Sequence, residues 1–350
     1  MKPRILFLLK CRGGYDYYGD YDQCPPHPPV FAFSSGLYNS AKYAAELLER
    51  NGYPVGLVEV IDGNDIDREI EQFQPDVVII EALWVTPDKL AENVWLHPGV
   101  EWIVRLHSEI PFLAVEGIAM EWVRGYWKIP HVLVSANTEE CRQDLYVIQQ
   151  AAGQEFTRIP LLPTYYHIVE HTHQGGGHPK VLHCACPGAM RPLKNQLTQA
   201  VAALRYAEDH KKRLHFYVNT TVSADGGISM LRNVVNLFKG TPHELIQIAW
   251  KNHYDFIQLL RSMDVALQVS FSESMNLCAA DMVSCHVPSV TSNQIRWSSK
   301  QVQAECTSTE DIEEKMNKVL SYPVLVAANL AGLRRFCNWA RRLWLEEFER

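Results

Sequence analysis

Two carboxylates, Glu273 and Asp281, lie eight positions apart in VSFSESMNLCAADMVSCHVPSVTS, residues 269–292. This stretch predicts a strand that ends at Ser270 and a helix that begins near Ser274. The first N–H groups of a helix have no partner inside it and favour an anion such as a phosphate. A carboxylate beside that turn can accept hydrogen bonds from sugar hydroxyls. At about 100° per residue, Asp281 lies about 80° round the helix from Glu273, where it can hold the hydroxyls of a ribose.

A second interpretation of these acids stays open. In it Glu273 caps the helix and Asp281 lies in solvent, which is an ordinary use of acidic side chains near a helix start. Spacing alone favours neither interpretation. In the functional interpretation, one loop and its helix contact the sugar, the phosphates and the ribose of a nucleotide sugar.

Two cations follow a different predicted strand. Arg191 and Lys194 lie in PGAMRPLKNQL (187–197), between the strand KVLHCAC and the helix NQLTQAVAALRYAED. Cations at such a turn can clamp a diphosphate and stabilise the negative charge that grows on it as it leaves. Basic residues in loops are commonly only solvated, so this motif alone is a weak indication.

The first half of the chain offers glycines and a histidine. Gly13 and Gly14 follow the first predicted strand, and Gly36 opens the first predicted helix, where glycine lets the backbone approach a ligand closely. Neither GxGxxG nor a Walker pattern is present, which argues against an ordinary dinucleotide site or P-loop. His107 follows a strand end and can bond a substrate hydroxyl or help to move a proton, although a structural role is commoner.

A segment rich in aromatic, acidic and proline residues, YDYYGDYDQCPPHPPVF (15–31), follows the first glycines. It has two interpretations, a lid over a ligand site or a plain surface insertion.

A cluster of histidines and cysteines suggests zinc at first sight. Its spacings match no closed four-ligand pattern, and part of it falls on a predicted core strand. We therefore expect no metal and no other cofactor. The cluster comprises His171, His173, His178, His183, Cys184 and Cys186.

The elements that position these residues alternate along the chain. In the first half, apolar strands alternate with amphipathic helices, a pattern typical of a parallel sheet covered on both faces. A polar segment with three consecutive glycines, HIVEHTHQGGGHPK (167–180), indicates a linker, and the alternation then restarts. The predicted strands of the first half are residues 4–10, 54–60, 76–82, 101–107 and 131–136.

The sequence thus predicts an α/β protein with two doubly wound, Rossmann-like parallel-sheet domains facing a cleft, because open parallel sheets bind ligands at the carboxyl ends of their strands. We place the first domain at 1–166, the linker at 167–179 and the second domain at 180–324. The basic amphipathic helix 325–350 is expected to pack back on the first domain. The alternative, a helix lying on a membrane, is disfavoured by the glutamates near its end.

Composition sets the remaining bounds. The 350 residues are 47% hydrophobic and 21% charged, which allows two domains with buried cores. No apolar run is long enough to cross a membrane, so stable membrane insertion is not expected. Nine scattered cysteines indicate a reducing, cytoplasmic location. The net charge of −7 argues mildly against a surface that binds nucleic acid as a whole.

Together these features resemble a GT-B glycosyltransferase, most closely glycosyltransferase family 4. Glu273-SMNLCAA-Asp281 is similar to the family's E-x7-E motif, with Asp in place of the second Glu. DVALQVSFSES…AADMVSCHVPSVTS and GAMRPLKN resemble two longer patterns of the family. The resemblance covers nearly the whole chain and is clearest from 181 to 297.

The resemblance implies a retaining transfer of a sugar from a nucleotide-diphosphate sugar without an essential metal. It implies that Lys194 and Arg191 contact the diphosphate, that Glu273 contacts the donor sugar and that Asp281 contacts the ribose. The remaining donor-binding residues are expected to be Gly13, Gly14, Gly36, Ser274, Met275, Asn276 and Leu277. Glu273, His107, Lys194 and Arg191 form the expected catalytic set.

The chain departs from the family pattern at three places. The family's Arg falls at Ala189, so Arg191 must reach from two residues along. Where glycines are expected after Glu273 the chain has Ser, Met and Asn (274–276), which are expected to crowd the backbone. His286 replaces the glycine before the proline of the second pattern.

The acceptor is expected to be a glycan or a lipid-linked sugar, and three alternatives stay open. The chain can instead modify bases of viral DNA, with the aromatic residues 15–21 and the basic residues 205–213 contacting the strand. It can bind nucleotide sugars without catalysis, or it can be a sugar-nucleotide epimerase.

Overall fold

The computed structural model describes residues 1–10, 36–154, 156–219 and 226–349, which fall into two compact units. The N-terminal unit contains the described residues up to His167 together with the segment from Cys337 onward, and the C-terminal unit runs from Ile168 to Phe336. The segment predicted as a linker thus belongs almost entirely to the C-terminal unit. Each unit has its own parallel sheet, which confirms the predicted fold class of two parallel-sheet α/β domains.

The described part of the N-terminal unit has a five-stranded parallel sheet in the order β2-β1-β3-β4-β5. Its strands are β1 (Ile5–Lys10), β2 (Val55–Val60), β3 (Val77–Glu81), β4 (Glu101–Arg105) and β5 (Val132–Ser135). Its helices are α1 (Gly36–Arg50), α2 (Ile66–Phe73), α3 (Pro87–Leu96), α4 (Ile110–Leu113), α5 (Ala119–Tyr126) and α6 (Glu139–Ala151).

Strand β1 shows why this sheet is covered on both faces. Successive side chains of a strand point to opposite faces. Leu6 and Leu8 pack in one buried cluster, whereas Ile5, Phe7 and Leu9 pack in another. An uninterrupted apolar run therefore supplies both layers of the core, as the sequence predicts.

The described part of the C-terminal unit has a six-stranded parallel sheet in the order β11-β10-β9-β6-β7-β8. Its strands are β6 (Val181–Ala185), β7 (Arg213–Asn219), β8 (Glu244–Ile248), β9 (Val265–Gln268), β10 (Ser289–Ser292) and β11 (Gln303–Ala304). Its helices are α7 (Gln196–Asp209), α8 (Gly227–Phe238), α9 (His253–Arg261), α10 (Leu277–Ser284) and α11 (Thr309–Ser321).

The strand order of this second sheet reverses between β6 and β9. From β6 the chain moves to β7 and β8 on one side and returns to β9 on the other. In open α/β sheets, the crevice outside the carboxyl ends at such a reversal is where ligands bind. The turns that follow β6 and β9 therefore flank the place in this unit that topology favours for a ligand.

The last helix, α12 (Val324–Phe348), begins in the C-terminal unit and ends in the N-terminal one. In the N-terminal unit Trp344 is fully buried; its ring centroid lies 6.0 Å from that of Phe7, and its Nε1 donates to the carbonyl of Pro163 at 2.8 Å. The expectation placed the whole helix against the first domain, but the part before Cys337 belongs to the second unit. Throughout the described ranges, no helix combines the length and apolar character that a membrane crossing requires.

Candidate active site

The turn after β6 carries Lys194 and is fastened to the turn after β9. One turn of 3-10 helix, Pro192–Lys194, leads into Asn195, which has a positive φ of 59° and precedes α7. The buried amide of Asn195 donates to the carbonyls of Val269 at 3.0 Å and Cys306 at 2.8 Å. These bonds fix the backbone of the Lys194 turn against the loop that carries Glu273.

The turn after β9 is held by a second asparagine, Asn276. Its φ is 65°, its side-chain oxygen accepts from the N–H of Ala279 at 2.9 Å, and its amide donates to Gln268 at 2.7 Å. Gln268 in turn donates to the carbonyl of Pro187, in the turn after β6, at 2.7 Å. Helix α10 consequently begins at Leu277 rather than near Ser274.

The side chains at 274–276 were expected to crowd the backbone, and the structure shows where they go. Met275 is 1% exposed, and its carbonyl accepts a hydrogen bond from Trp297 Nε1 at 2.7 Å. Asn276 adopts a backbone conformation that glycine takes most easily and that Asn tolerates better than most residues. Ser274 and Leu277 lie on either side of this pair and are partly exposed.

Lys194 and Glu273 form an ion pair. Lys194 Nζ lies 2.5 Å from Glu273 Oε1, and the two side chains are only 13% and 8% exposed. The pair joins the turn after β6 to the turn after β9, on either side of the strand-order reversal. A charged pair at that position is a suitable partner for an anionic, hydroxyl-rich ligand.

The other two charged residues predicted for this site lie nearby. Burial raises the pKa of the Cys278 thiol to about 12; Lys194 and Arg191 act to lower it, and Asp281 and Glu273 act to raise it. Because all four charges act on the thiol of this one partly exposed cysteine, the structure brings the four residues into one neighbourhood.

Asp281 has a partner that the sequence analysis did not single out. His253 is the first residue of α9, and its Nε2 lies 2.9 Å from Asp281 Oδ1. The two residues are 28 positions apart and meet because α9 packs beside α10. No spacing rule connects the start of one helix with the second turn of another, so no sequence pattern pointed to this pair.

His107 lies in the N-terminal unit, where it contacts a buried ion pair. Arg105 Nη1 lies 3.1 Å from Glu81 Oε1, both side chains are fully buried, and His107 Nε2 is hydrogen-bonded to the other oxygen of Glu81. Burial, followed by the charge of Arg105, lowers the pKa of His107, whereas Glu81 opposes this. His107 is therefore neutral at pH 7, which suits hydrogen bonding with a hydroxyl.

The glycines predicted for the first unit are only partly described. Gly36 is the exposed first residue of α1. Gly13, Gly14 and the segment 15–31 lie outside the described residues.

Within the described ranges, no group of three or more His, Cys, Asp or Glu side chains is arranged to hold a metal ion. Two histidines of the sequence cluster have other partners. His183 Nδ1 is hydrogen-bonded to the Tyr217 hydroxyl at 2.9 Å, and His173 Nε2 donates to the carbonyl of Met263 at 2.7 Å.

Comparison with known proteins gives no sequence match. No protein-family model matches the chain, and none of the curated proteins matches it significantly.

Solved structures do match. Sucrose-phosphate synthase from Thermosynechococcus elongatus is similar with a TM-score of 0.66 and 11% identity, over 98% of this chain and 97% of that one. HepE from Anabaena, in complex with UDP, is similar with a TM-score of 0.63 and 12% identity, over 99% of this chain and 98% of that one. A trehalose-6-phosphate synthase, studied for glycosyl transfer with retention, is similar with a TM-score of 0.61 and 13% identity, over 82% of this chain and 77% of that one. At such low identity these matches establish the fold alone: the chain has the GT-B fold of glycosyltransferases, while membership of family 4 stays a prediction.

Proposed function

We propose that this protein is a retaining glycosyltransferase, which moves a sugar from a nucleotide-diphosphate sugar to a glycan or lipid-linked acceptor without a metal ion. The observation that carries the proposal is the Lys194–Glu273 ion pair at the strand-order reversal of the C-terminal sheet. Solved structures of the same fold, one in complex with UDP, support it.

When the donor binds, Lys194 and Glu273 give up their contact with each other and each gains a contact with the donor. Its diphosphate accepts hydrogen bonds from Lys194 and from Arg191, while hydroxyls of the sugar donate to Glu273. Breaking a nearly buried ion pair is costly unless both charges gain new partners, and a nucleotide sugar supplies an anion for one and hydroxyl donors for the other. Asp281 accepts from the ribose, and the N–H groups at the start of α10 face the phosphates.

The configuration at the anomeric carbon is retained if the leaving diphosphate also acts as the base that takes the proton of the acceptor. The bond between the anomeric carbon and the diphosphate oxygen breaks, and the acceptor oxygen bonds to the same face of the sugar. The acceptor proton passes to the departing phosphate oxygen. Lys194, Arg191 and the amides of residues 274–276 stabilise the negative charge on the leaving diphosphate, and neutral His107 is assigned to a substrate hydroxyl.

Two contacts weaken the alternative of a DNA acceptor. Its basic segment, 205–213, includes Arg205 and Arg213, and both pair with acids: Arg205 Nε with Glu313 Oε2 at 3.1 Å and Arg213 Nη2 with Glu244 Oε2 at 3.2 Å. Basic residues already neutralised by carboxylates add little attraction for a phosphate backbone.

The test is release of nucleoside diphosphate from a panel of nucleotide sugars, with and without glycan and lipid-linked acceptors. For the active donor, we expect Lys194→Met and Glu273→Gln each to lower kcat/KM by about 100-fold or more, because both groups act on developing charge or on the donor sugar. The matched control is the exposed ion pair between Lys318 and Glu314 on α11. Lys318→Met and Glu314→Gln are expected to keep kcat/KM within about twofold.

Two outcomes would contradict the proposal. One is a folded protein that binds and cleaves no nucleotide sugar in the panel. The other is a Lys194→Met variant as active as its Lys318→Met control. Tight donor binding without any turnover would favour the non-catalytic alternative.

A further inference from the structure

The loop that follows β10 reaches back to the turn after β9 through the side chain of Trp297. This indole is buried, and its Nε1 donates to the carbonyl of Met275 at 2.7 Å. The two residues are 22 positions apart, and Met275 lies in the same turn as Glu273. Trp297, which the sequence analysis did not expect to contact the donor, therefore holds part of the turn that the donor is proposed to contact.

This hydrogen bond fixes the direction of a backbone N–H group. In a planar trans peptide, the carbonyl of one residue and the N–H of the next point in opposite directions. The carbonyl of Met275 points to the indole of Trp297, so the N–H of Asn276 points away from it. The side chain of Asn276 holds the other side of the same peptide through its bonds to Ala279 and Gln268.

The peptide that Trp297 holds is the entrance to α10. The N–H groups of Asn276, Leu277 and Cys278 come first, and none of the three has an acceptor within the described ranges. Such N–H groups at a helix start favour an anion. Leu277 and Cys278 are partly exposed, so this end of the helix is open to a ligand.

Helix α12 presses on the backbone of Trp297. Gly332 packs so closely that a Cβ there would lie 2.0 Å from the carbonyl oxygen of Trp297. One turn earlier in the same helix, buried Asn329 accepts from the N–H of Ser299 at 2.9 Å and donates to the carbonyl of Ser289 at 3.3 Å. These contacts, all inside the C-terminal unit, fix the place from which the indole donates.

We propose that Trp297 is a positioning residue for the diphosphate of the donor: through the carbonyl of Met275 it aims the N–H groups that open α10, and packing against Gly332 keeps it in place. This inference rests on the proposed function. N–H donors that are already oriented need no rearrangement when the anion arrives, and their bonds to charged oxygens are among the stronger hydrogen bonds. The indole acts through the backbone, so the role needs no contact between Trp297 and the donor.

The test compares each nucleoside diphosphate with its nucleoside, because only the diphosphate has phosphates for these N–H groups. The whole chain is titrated with UDP and uridine, GDP and guanosine, and ADP and adenosine by ligand-detected NMR, which reaches millimolar dissociation constants. For the preferred base, we expect Trp297→Phe to weaken the diphosphate about tenfold and the nucleoside less than about twofold. Phenylalanine keeps an aromatic ring in the core but has no N–H to donate.

A second variant, Gly332→Ala, disturbs the same contact from the side of α12. Its Cβ displaces the carbonyl of Trp297, whereas alanine suits the helix better than glycine does, so α12 itself is not weakened. We expect it to weaken the diphosphate at least about threefold and to spare the nucleoside. If Trp297→Phe fails to fold in a thermal melt, Gly332→Ala decides by the same comparison.

The matched control is Trp344→Phe. Trp344 is also buried, and its Nε1 also donates to a backbone carbonyl, that of Pro163 at 2.8 Å, but it lies in the N-terminal unit. This variant loses the same kind of hydrogen bond at a distant place, so both dissociation constants should stay within about twofold of the wild-type values.

The comparison separates a positioning role from a structural one. If Trp297 only supported the fold, Trp297→Phe would weaken the nucleoside and its diphosphate by the same factor, and that result would overturn the inference. Diphosphate binding unchanged in both variants would also overturn it while leaving the proposed function intact. If the wild-type protein bound none of the three diphosphates, both the inference and the proposed function would fail.

Discussion

Buried carboxylates are used in two different ways in this molecule. Glu81 and Glu273 each face a cation, Arg105 in one case and Lys194 in the other. Glu59 on β2 differs, because its Oε2 is buried and has no hydrogen-bond partner among the described residues. A paired carboxylate stays charged at little cost, whereas an unpaired one is stabilised by binding a proton.

Glu59 should therefore make the N-terminal unit less stable as the pH rises. Burial raises its pKa to about 7 in the folded protein, and in the unfolded chain it is about 4.3. Between these values the folded state binds more protons than the unfolded one, so stability falls as pH rises through this window and levels off above it. We expect Glu59→Gln to raise the free energy of unfolding by about 1–3 kcal/mol at pH 8 and by much less at pH 5.

Urea denaturation at the two pH values measures this difference. The control is Glu71→Gln, on the exposed face of α2, which should change stability little at either pH. A gain of the same size at pH 5 and pH 8 would show that the carboxylate of Glu59 carries no penalty of this kind.

At the scale of elements, the start of α10 decides the geometry of the candidate site. One asparagine, Asn276, turns the chain with a positive φ, caps the helix and bonds Gln268. The backbone N–H groups proposed to face the phosphates follow directly. Their orientation therefore depends on the hydrogen bonds that the side chain of Asn276 makes within the protein.

We expect Asn276→Ala to cost about 2–3 kcal/mol of stability, and Asn276→Gly about 1 kcal/mol less than that. Both variants lose the cap, but only alanine also carries a Cβ in the left-handed region. Asn252→Ala is the comparison: Asn252 caps α9 at a φ of −62°, so its loss should cost only about 1 kcal/mol. Chemical denaturation gives all three values, and equal costs for the alanine and glycine variants at 276 would show that backbone strain is unimportant there.

The strands, the candidate site residues and the start of α10 show how much of the structure could be predicted from the sequence alone. Apolar runs bounded by polar residues located the strands closely: 4–10 was predicted for Ile5–Lys10 and 76–82 for Val77–Glu81. Residue types and motif spacing singled out Lys194 and Glu273, which the structure brings together. The start of α10 was misplaced because it depends on Trp297 and Gln268, whose contacts with 275 and 276 are tertiary.

The pairing of His253 with Asp281 was out of reach for the same reason. It arises from the packing of α9 beside α10, and periodicity within one helix contains no information about its neighbour. Local sequence patterns could locate the helices and strands and the residues expected to contact the donor. They could not show which other side chains hold those residues in position.

At the scale of the whole molecule, each unit has a hydrophobic core of its own. The clusters on both faces of the β1 sheet belong to the N-terminal unit, and the cluster around β6, β7 and β9 belongs to the C-terminal one. The described residues of the proposed site, apart from Gly36 and His107, lie in the C-terminal unit. Binding of a nucleotide should therefore stabilise the two cores unequally.

We expect calorimetric unfolding to show two transitions, of which a nucleoside diphosphate shifts only one. At about 100 times the dissociation constant, the ligand adds about 2.7 kcal/mol to the unit that binds it. The variants above identify the transitions: Asn276→Ala should lower the C-terminal one and Glu59→Gln at pH 8 should raise the N-terminal one. The transition lowered by Asn276→Ala should be the one that the nucleotide raises. If instead the nucleotide raised the transition that responds to Glu59, its main contacts would lie in the N-terminal unit, and the assignment of Lys194, Glu273 and Asp281 to the donor would have to be abandoned.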